Sequence, residues 1–191
     1  MRSSTRSAWS LGAFTLATFL VMGSCGSDTT KVTAKVPPGP PEDLVMQAAD
    51  FQNLHDMTPV RGFFLDNQLG HLEAALKIAN SNQGGVYPVG TIIQLVPQEA
   101  MVKRRAGFNR LTKDWEFFFL TTDATGTTID VRGGEKVVNR FGGSCASCHA
   151  LAQPKFDFVC EKDHGCEPLP IGDDIIHSIQ EADPRPRAAK G

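Results

Sequence analysis

The sequence predicts an α+β domain, an antiparallel β-sheet with flanking helices. Residues 42–55 and 67–80 place apolar side chains at helical spacing, whereas runs rich in β-branched and aromatic residues, cut by Gly and Pro, fill residues 86–131. No internal repeat interrupts this order. A length of 191 residues suits one domain, and 41% hydrophobic with 21% charged residues exclude a disordered chain, a collagen-like repeat and a polytopic membrane protein. The formal net charge of −2 gives no reason to expect nucleic acid as a partner.

The first helix is expected over residues 42–55, where Leu44, Val45, Ala48, Phe51 and Leu54 form its stripe after a run of prolines. The second is expected from Asn67 to Asn80, with Leu69, Leu72, Leu76 and Ala79 on one face, Asp66 as cap and Gly84-Gly85 beyond its end. Residues 86–96 then read as a strand, and Glu99 to Arg105 as another. The basic run Lys103-Arg104-Arg105 is expected to be a solvated strand edge. Trp115 to Leu120 is a buried strand, and Thr127 to Val131 is its partner across the turn from Asp123 to Gly126. Twelve phenylalanines against one tyrosine fit either a Phe-rich core or a Phe-lined pocket.

The N-terminus reads as an export signal. Arg2 and Arg6 precede an apolar stretch from Ala8 to Met22 that is shorter than the roughly 20 residues a membrane-spanning helix needs. Val21-Met22-Gly23-Ser24-Cys25 resembles a bacterial lipoprotein box, which implies a lipid on Cys25; the alternative is an ordinary signal peptide and a free Cys25. Residues 1–24 are then the signal, residues 25–41 the anchored cysteine with a Pro-rich tether, and residues 42–191 the folded domain. Loss of residues 1–24 removes two arginines and no acid, leaving 167 residues with a formal charge of −4. The expected location is periplasmic and membrane-anchored.

Five cysteines cannot all pair. Cys145-Ala146-Ser147-Cys148-His149 matches the c-type haem attachment motif: two thiols three positions apart each add to one vinyl group of a porphyrin, and the adjacent histidine supplies an axial nitrogen. One covalent haem c is therefore expected on Cys145, Cys148 and His149, in a C-terminal attachment helix or turn. Two other readings stay open. A thioredoxin-like dithiol would need a βαβ context that the preceding Phe141-Gly142-Gly143-Ser144 does not offer, and a zinc site could draw on Cys145, Cys148, Cys160 and Cys166. In an oxidising compartment Cys160 and Cys166 are expected to form a disulfide around a polar turn, with His164 a surface residue of that loop.

A second axial ligand is not obvious. Met46, Met57 and Met101 are the methionines available before the motif, His55, His71, His164 and His177 the histidines, and Lys103 a remote candidate. An open iron face lined by apolar residues such as Phe63, Phe64, Phe117 and Phe119 is expected. Proton transfer at such a site would fall to Asp66, Glu99, Glu116 or His71.

Three segments, Tyr87-Pro88-Val89-Gly90-Thr91-Ile92-Ile93, Lys113-Asp114-Trp115-Glu116-Phe117-Phe118-Phe119-Leu120 and the Cys145 to Ala150 motif followed by Asp157-Phe158-Val159, together resemble the cytochrome P-460 and cytochrome c′-beta family. The resemblance implies a haem domain whose iron binds a small ligand such as NO or passes electrons. It also implies, as the alternative, an oxidoreductase acting on hydroxylamine, another small nitrogen compound or peroxide. The hydroxylamine-oxidising branch uses a lysine cross-linked to the porphyrin, and the strand Thr91-Ile92-Ile93-Gln94-Leu95 has none; Lys103 falls in the next strand. The expected partners are a small-molecule ligand or a redox partner protein, the membrane through the anchor, and a second copy of the chain.

Overall fold

The computed structural model describes residues 43–140 and 142–189. The signal, Cys25 and the tether lie outside the described residues. Six strands form one antiparallel meander in sequence order: β1 (Thr58–Val60), β2 (Phe63–Asn67), β3 (Thr91–Gln94), β4 (Glu99–Lys103), β5 (Trp115–Asp123) and β6 (Gly126–Gly133). Three helices flank it, α1 (Leu72–Ala79), α2 (Cys145–His149) and α3 (Asp173–Glu181). The α+β expectation holds, and no helix among the described residues is long and apolar enough to cross a membrane.

Both faces of the sheet are covered, so alternation along each strand sends side chains into two separate cores. One face buries Phe63, Leu65, Ile93, Met101, Trp115 and Phe117 against α1, Cys145, Ala146, Phe158 and Val159. The other buries Ile92, Val102, Phe118 and Leu120 against Met46, Phe51, Leu54 and Met57. Phe63, Phe117 and Phe158 thus pack in one core and Phe51 and Phe118 in the other.

The N-terminal segment departs from the expected helix. Residues 43–57 run extended through two short 3-10 turns, Ala48–Asp50 and Leu54–Asp56. Here Asp50 accepts a hydrogen bond from the Gln47 amide at 2.7 Å and Asn53 accepts one from His55 N at 3.0 Å, so local side chains take the amides a helix would have used. The extended path lets Met46, Phe51, Leu54 and Met57 cover a broad sheet face, while Val45, which the helical stripe would have buried, is 63% exposed.

The second expected helix begins five residues late, because Phe63–Asn67 is β2 and pairs with both β1 and β3. Asp66 does not cap it. Asn67 does the comparable work, its Oδ1 accepting from Leu69 N at 2.8 Å and His71 N at 3.0 Å on the approach to α1. Strand β3 is shorter than expected, Thr91–Gln94, while β5 and β6 run longer and close on an Asp123↔Gly126 pair.

The basic run is not a solvated edge. Strand β4 lies inside the sheet, so Lys103 and Arg104 are both buried and point to opposite faces; only Arg105 is exposed. Arg104 pairs with the buried carboxylate of Glu116, which Arg132 also binds at 2.7 Å. Lys103 pairs with Asp157 on the other face at 2.8 Å.

The C-terminal segment closes the far end of the second core. Arg185, 3% exposed, donates to the carbonyl of Phe51 at 3.1 Å and pairs with Asp183 at 2.6 Å. Burial pulls the Asp183 carboxyl upward, but hydrogen bonds from Arg185 and from Leu54 N outweigh it and leave the group below the ordinary carboxylate range. A depressed folded-state pKa gives stability that is present above the unfolded value and is lost as pH falls through the folded one. Asp183→Asn should therefore cost about 3–5 kcal/mol at pH 7, since it strands a buried guanidinium. In acid urea titrations the variant should also lose less stability below about pH 4 than the wild type does.

Candidate functional site

The motif helix α2 starts where the chain returns from β6. Cys145 N donates to the Val137 carbonyl at 3.0 Å, and Ser144 caps the helix, its Oγ accepting from Ser147 N at 3.2 Å. The cap and the helical turn put Cys145, Cys148 and His149 on one short element. Both thiols are free, Cys145 buried and Cys148 half-buried. Burial, reinforced by the negative charge of Glu99, pushes the Cys145 thiol up to about 12, and burial also raises Cys148.

His149 is held by its Nδ1, 2.8 Å from the Phe158 carbonyl oxygen. A carbonyl has no proton to give, so Nδ1 carries the hydrogen and donates it. The neutral ring then leaves the Nε2 lone pair uncommitted, the arrangement that histidines acting as metal ligands use. Burial lowers the His149 pKa and so favours this neutral form. Phe117 lies 5.1 Å from the imidazole in a tilted contact, and Phe158 stacks within 23° of its plane at 6.5 Å.

The Phe158 carbonyl is the middle one of three, each taken by the ring N–H of a different side chain. Trp115 Nε1 donates to Asp157 O at 2.6 Å and His164 Nδ1 to Val159 O at 2.8 Å, on either side of the His149 bond. Asp157 and Phe158 both adopt the left-handed conformation, with φ of 50° and 71°. Neither is glycine, so the geometry is costly unless neighbours enforce it. They do: Asp157 Oδ2 accepts from Tyr87 N at 2.9 Å, and Lys103 Nζ reaches both Asp157 oxygens at 2.8 and 2.9 Å and the Lys113 carbonyl at 2.7 Å.

The Cys160–Cys166 disulfide forms as the sequence suggested. Cys160 Sγ lies 3.2 Å from the Cys148 carbonyl, which places the bridge against the motif helix. The loop it closes is docked: His164 stacks on Phe156 with ring centroids 3.6 Å apart, so it is a packing residue and not the surface histidine expected.

The other expected residues divide by sheet face. Met101, Phe63, Phe117 and Phe119 share the face of the motif, whereas Met46, Met57 and Phe64 pack on the opposite one. His55 contacts Phe64 there, and His71 and His177 are exposed on helical termini or surfaces. Among the proton-transfer candidates, Asp66 binds Gln52 at 2.9 Å and Glu116 binds Arg104 and Arg132, both remote from the motif's face. Glu99 alone lies with it, two residues before Met101 and within electrostatic reach of Cys145. Lys103 is fully engaged by Asp157 and Lys113.

No family model, curated protein or solved structure matches the chain. The residues themselves fit the group that the motif implies, offering two unpaired thiols at the required spacing and an adjacent imidazole whose second nitrogen is held as a donor.

Asp157→Asn should destabilise the protein by about 3–5 kcal/mol in urea titrations, because it leaves the Lys103 ammonium buried without a counter-charge. Adding Lys103→Met to that variant should restore a large part of the loss, and a double-mutant cycle measures the coupling.

Proposed function

We propose that this chain is an exported, lipid-anchored, single-haem c-type cytochrome of the P-460 and c′-beta kind, which binds a small neutral ligand such as NO or passes electrons. The observation that carries the reading is the His149 Nδ1 hydrogen bond to Phe158 O, beside two free thiols on the same short helix. Cys145 and Cys148 would hold the haem covalently, and His149 Nε2 would be its axial ligand. Bound there, haem supplies an iron that takes a diatomic ligand or cycles between ferrous and ferric states. The chain's own part is to fix the imidazole by the Phe158 carbonyl and to wall it with Phe117 and Phe158. Met101 and Phe119 on the same face favour a neutral ligand over an anion, because a desolvated charge is costly among apolar groups.

One observation favours the second reading, an oxidoreductase acting on hydroxylamine, another small nitrogen compound or peroxide. Glu99 stands on the motif's face and could pass a proton. The cross-linked chemistry has less support, since the Lys103 amine is taken by three oxygens.

Expression with a cytochrome c maturation system tests the proposal. The expected product keeps haem through denaturation and shows a high-spin ferric spectrum that NO converts. Cys145→Ala and Cys148→Ala together should abolish the covalent attachment. A low-spin ferric spectrum without added ligand would overturn the open site and leave electron transfer; a chain that leaves the maturation system without covalent haem overturns the cytochrome. Hydroxylamine turnover that falls at least tenfold in Glu99→Gln would establish the second reading.

A further inference from the structure

Asp43 and Leu44 are held against the end of β4 by Arg104 and Arg105. The Asp43 carboxylate lies 3.3 Å from Arg104 and 3.7 Å from Arg105, and the Leu44 carbonyl accepts from the Arg104 guanidinium. That guanidinium also lies 4.7 Å over the Phe108 ring. Asp43 and Leu44 are therefore fixed beside the loop that joins β4 to β5.

This loop presents exposed apolar and basic side chains together. Leu111 is 72% and Phe108 36% exposed, Val45 next to Leu44 is 63% exposed, and Arg105 and Arg110 are exposed among them. Among the described residues no ion pair involves Arg110. The loop is also ordered by its own bonds: Asp114 Oδ1 accepts from Gly107 N at 3.1 Å and Asn109 N at 2.9 Å, and Asn109 Oδ1 from Leu111 N at 3.0 Å. Order without burial means that Phe108 and Leu111 are displayed and not tucked into either core.

We propose that the loop 105–111, with Val45 beside it, rests on the anionic bilayer surface to which Cys25 anchors the chain. The inference depends on the lipid-anchor reading for its occupant. Seventeen residues, 26–42, separate Cys25 from Asp43. A Pro-rich segment of that length spans roughly 20–50 Å, so the anchor and the loop would reach the same surface. Tethering raises the effective concentration of bilayer at the domain, so a small patch suffices. Its chemistry suits a headgroup boundary, with aromatic and aliphatic side chains to insert and the Arg110 guanidinium to meet anionic lipids. Helix α3, whose Gln180 binds the Leu95 carbonyl at 2.8 Å, lies toward the other end of β4 and serves as the control surface.

The test uses the mature chain from membranes carrying Leu111→Trp, reconstituted in vesicles of brominated phosphatidylglycerol and phosphatidylethanolamine, with the wild-type Trp115 signal subtracted. The introduced indole should be quenched severalfold more than one introduced by Ile175→Trp on α3. Adding Arg110→Glu should weaken loop contact roughly fivefold, and phosphatidylcholine vesicles should weaken it likewise. Quenching no greater than at position 175, as expected if the loop docks a protein, overturns the proposal. The mass of the N-terminal peptide separates the two readings: an unmodified Cys25 removes the anchor, while quenching in the same sample still decides the loop.

Discussion

Three consecutive carbonyls, those of Asp157, Phe158 and Val159, each receive a ring N–H, from Trp115, His149 and His164 respectively, and the geometry of the candidate site depends on that ladder. The ladder in turn depends on the buried pair of Lys103 and Asp157. Two left-handed non-glycine residues in succession cost of order 1–2 kcal/mol each, and the pair, with the Tyr87 amide, repays the strain locally. Trp115 and Lys103 sit directly opposite each other on β5 and β4, so the sheet itself sets where the Phe158 carbonyl stands. His149 is oriented by the sheet through that oxygen, although its own helix is only five residues long.

The same strands keep two buried charge systems apart. Adjacent residues of a strand point to opposite faces, so Lys103 serves Asp157 in one core and Arg104 serves Glu116 in the other. Each buried cation has its own carboxylate, and among the described residues no buried side-chain nitrogen or oxygen lacks a partner. On the face that holds the motif, Asp157 is committed to Lys103, Glu161 pairs with Arg61, and Glu99 is bonded at 3.0 Å to the Arg140 amide.

The motif and the disulfide were legible because their chemistry depends on local spacing. Cysteines three positions apart with a following histidine, and two more bracketing a polar turn, need no tertiary partner to be read. The central strands were legible too, since Trp115 to Leu120 and its neighbour carry strong β patterns. The first hairpin was not, because the three consecutive apolar residues Phe63, Phe64 and Leu65 show no alternation in the sequence, although the strand buries one face and half-buries the other. Residues 43–57 have helical spacing, yet the breadth of the sheet face they cover decides their path. Lys103 and Arg104 misled for a related reason: a basic run looks solvated until carboxylates 12 and 54 positions away are brought to it. Asp157 and Phe158 were visible as part of a family resemblance, but their role as the scaffold of His149 arises only from the fold.

The central claim is that the Phe158 carbonyl holds His149 as the Nδ1–H tautomer with Nε2 free. Long-range nitrogen–proton correlation NMR on the haem-free protein reads this state directly from the two ring-nitrogen shifts. The account predicts a neutral ring near pH 7 with a protonated Nδ1 and an unprotonated Nε2. A proton on Nε2 in the neutral ring, or exchange between the two tautomers, would contradict it.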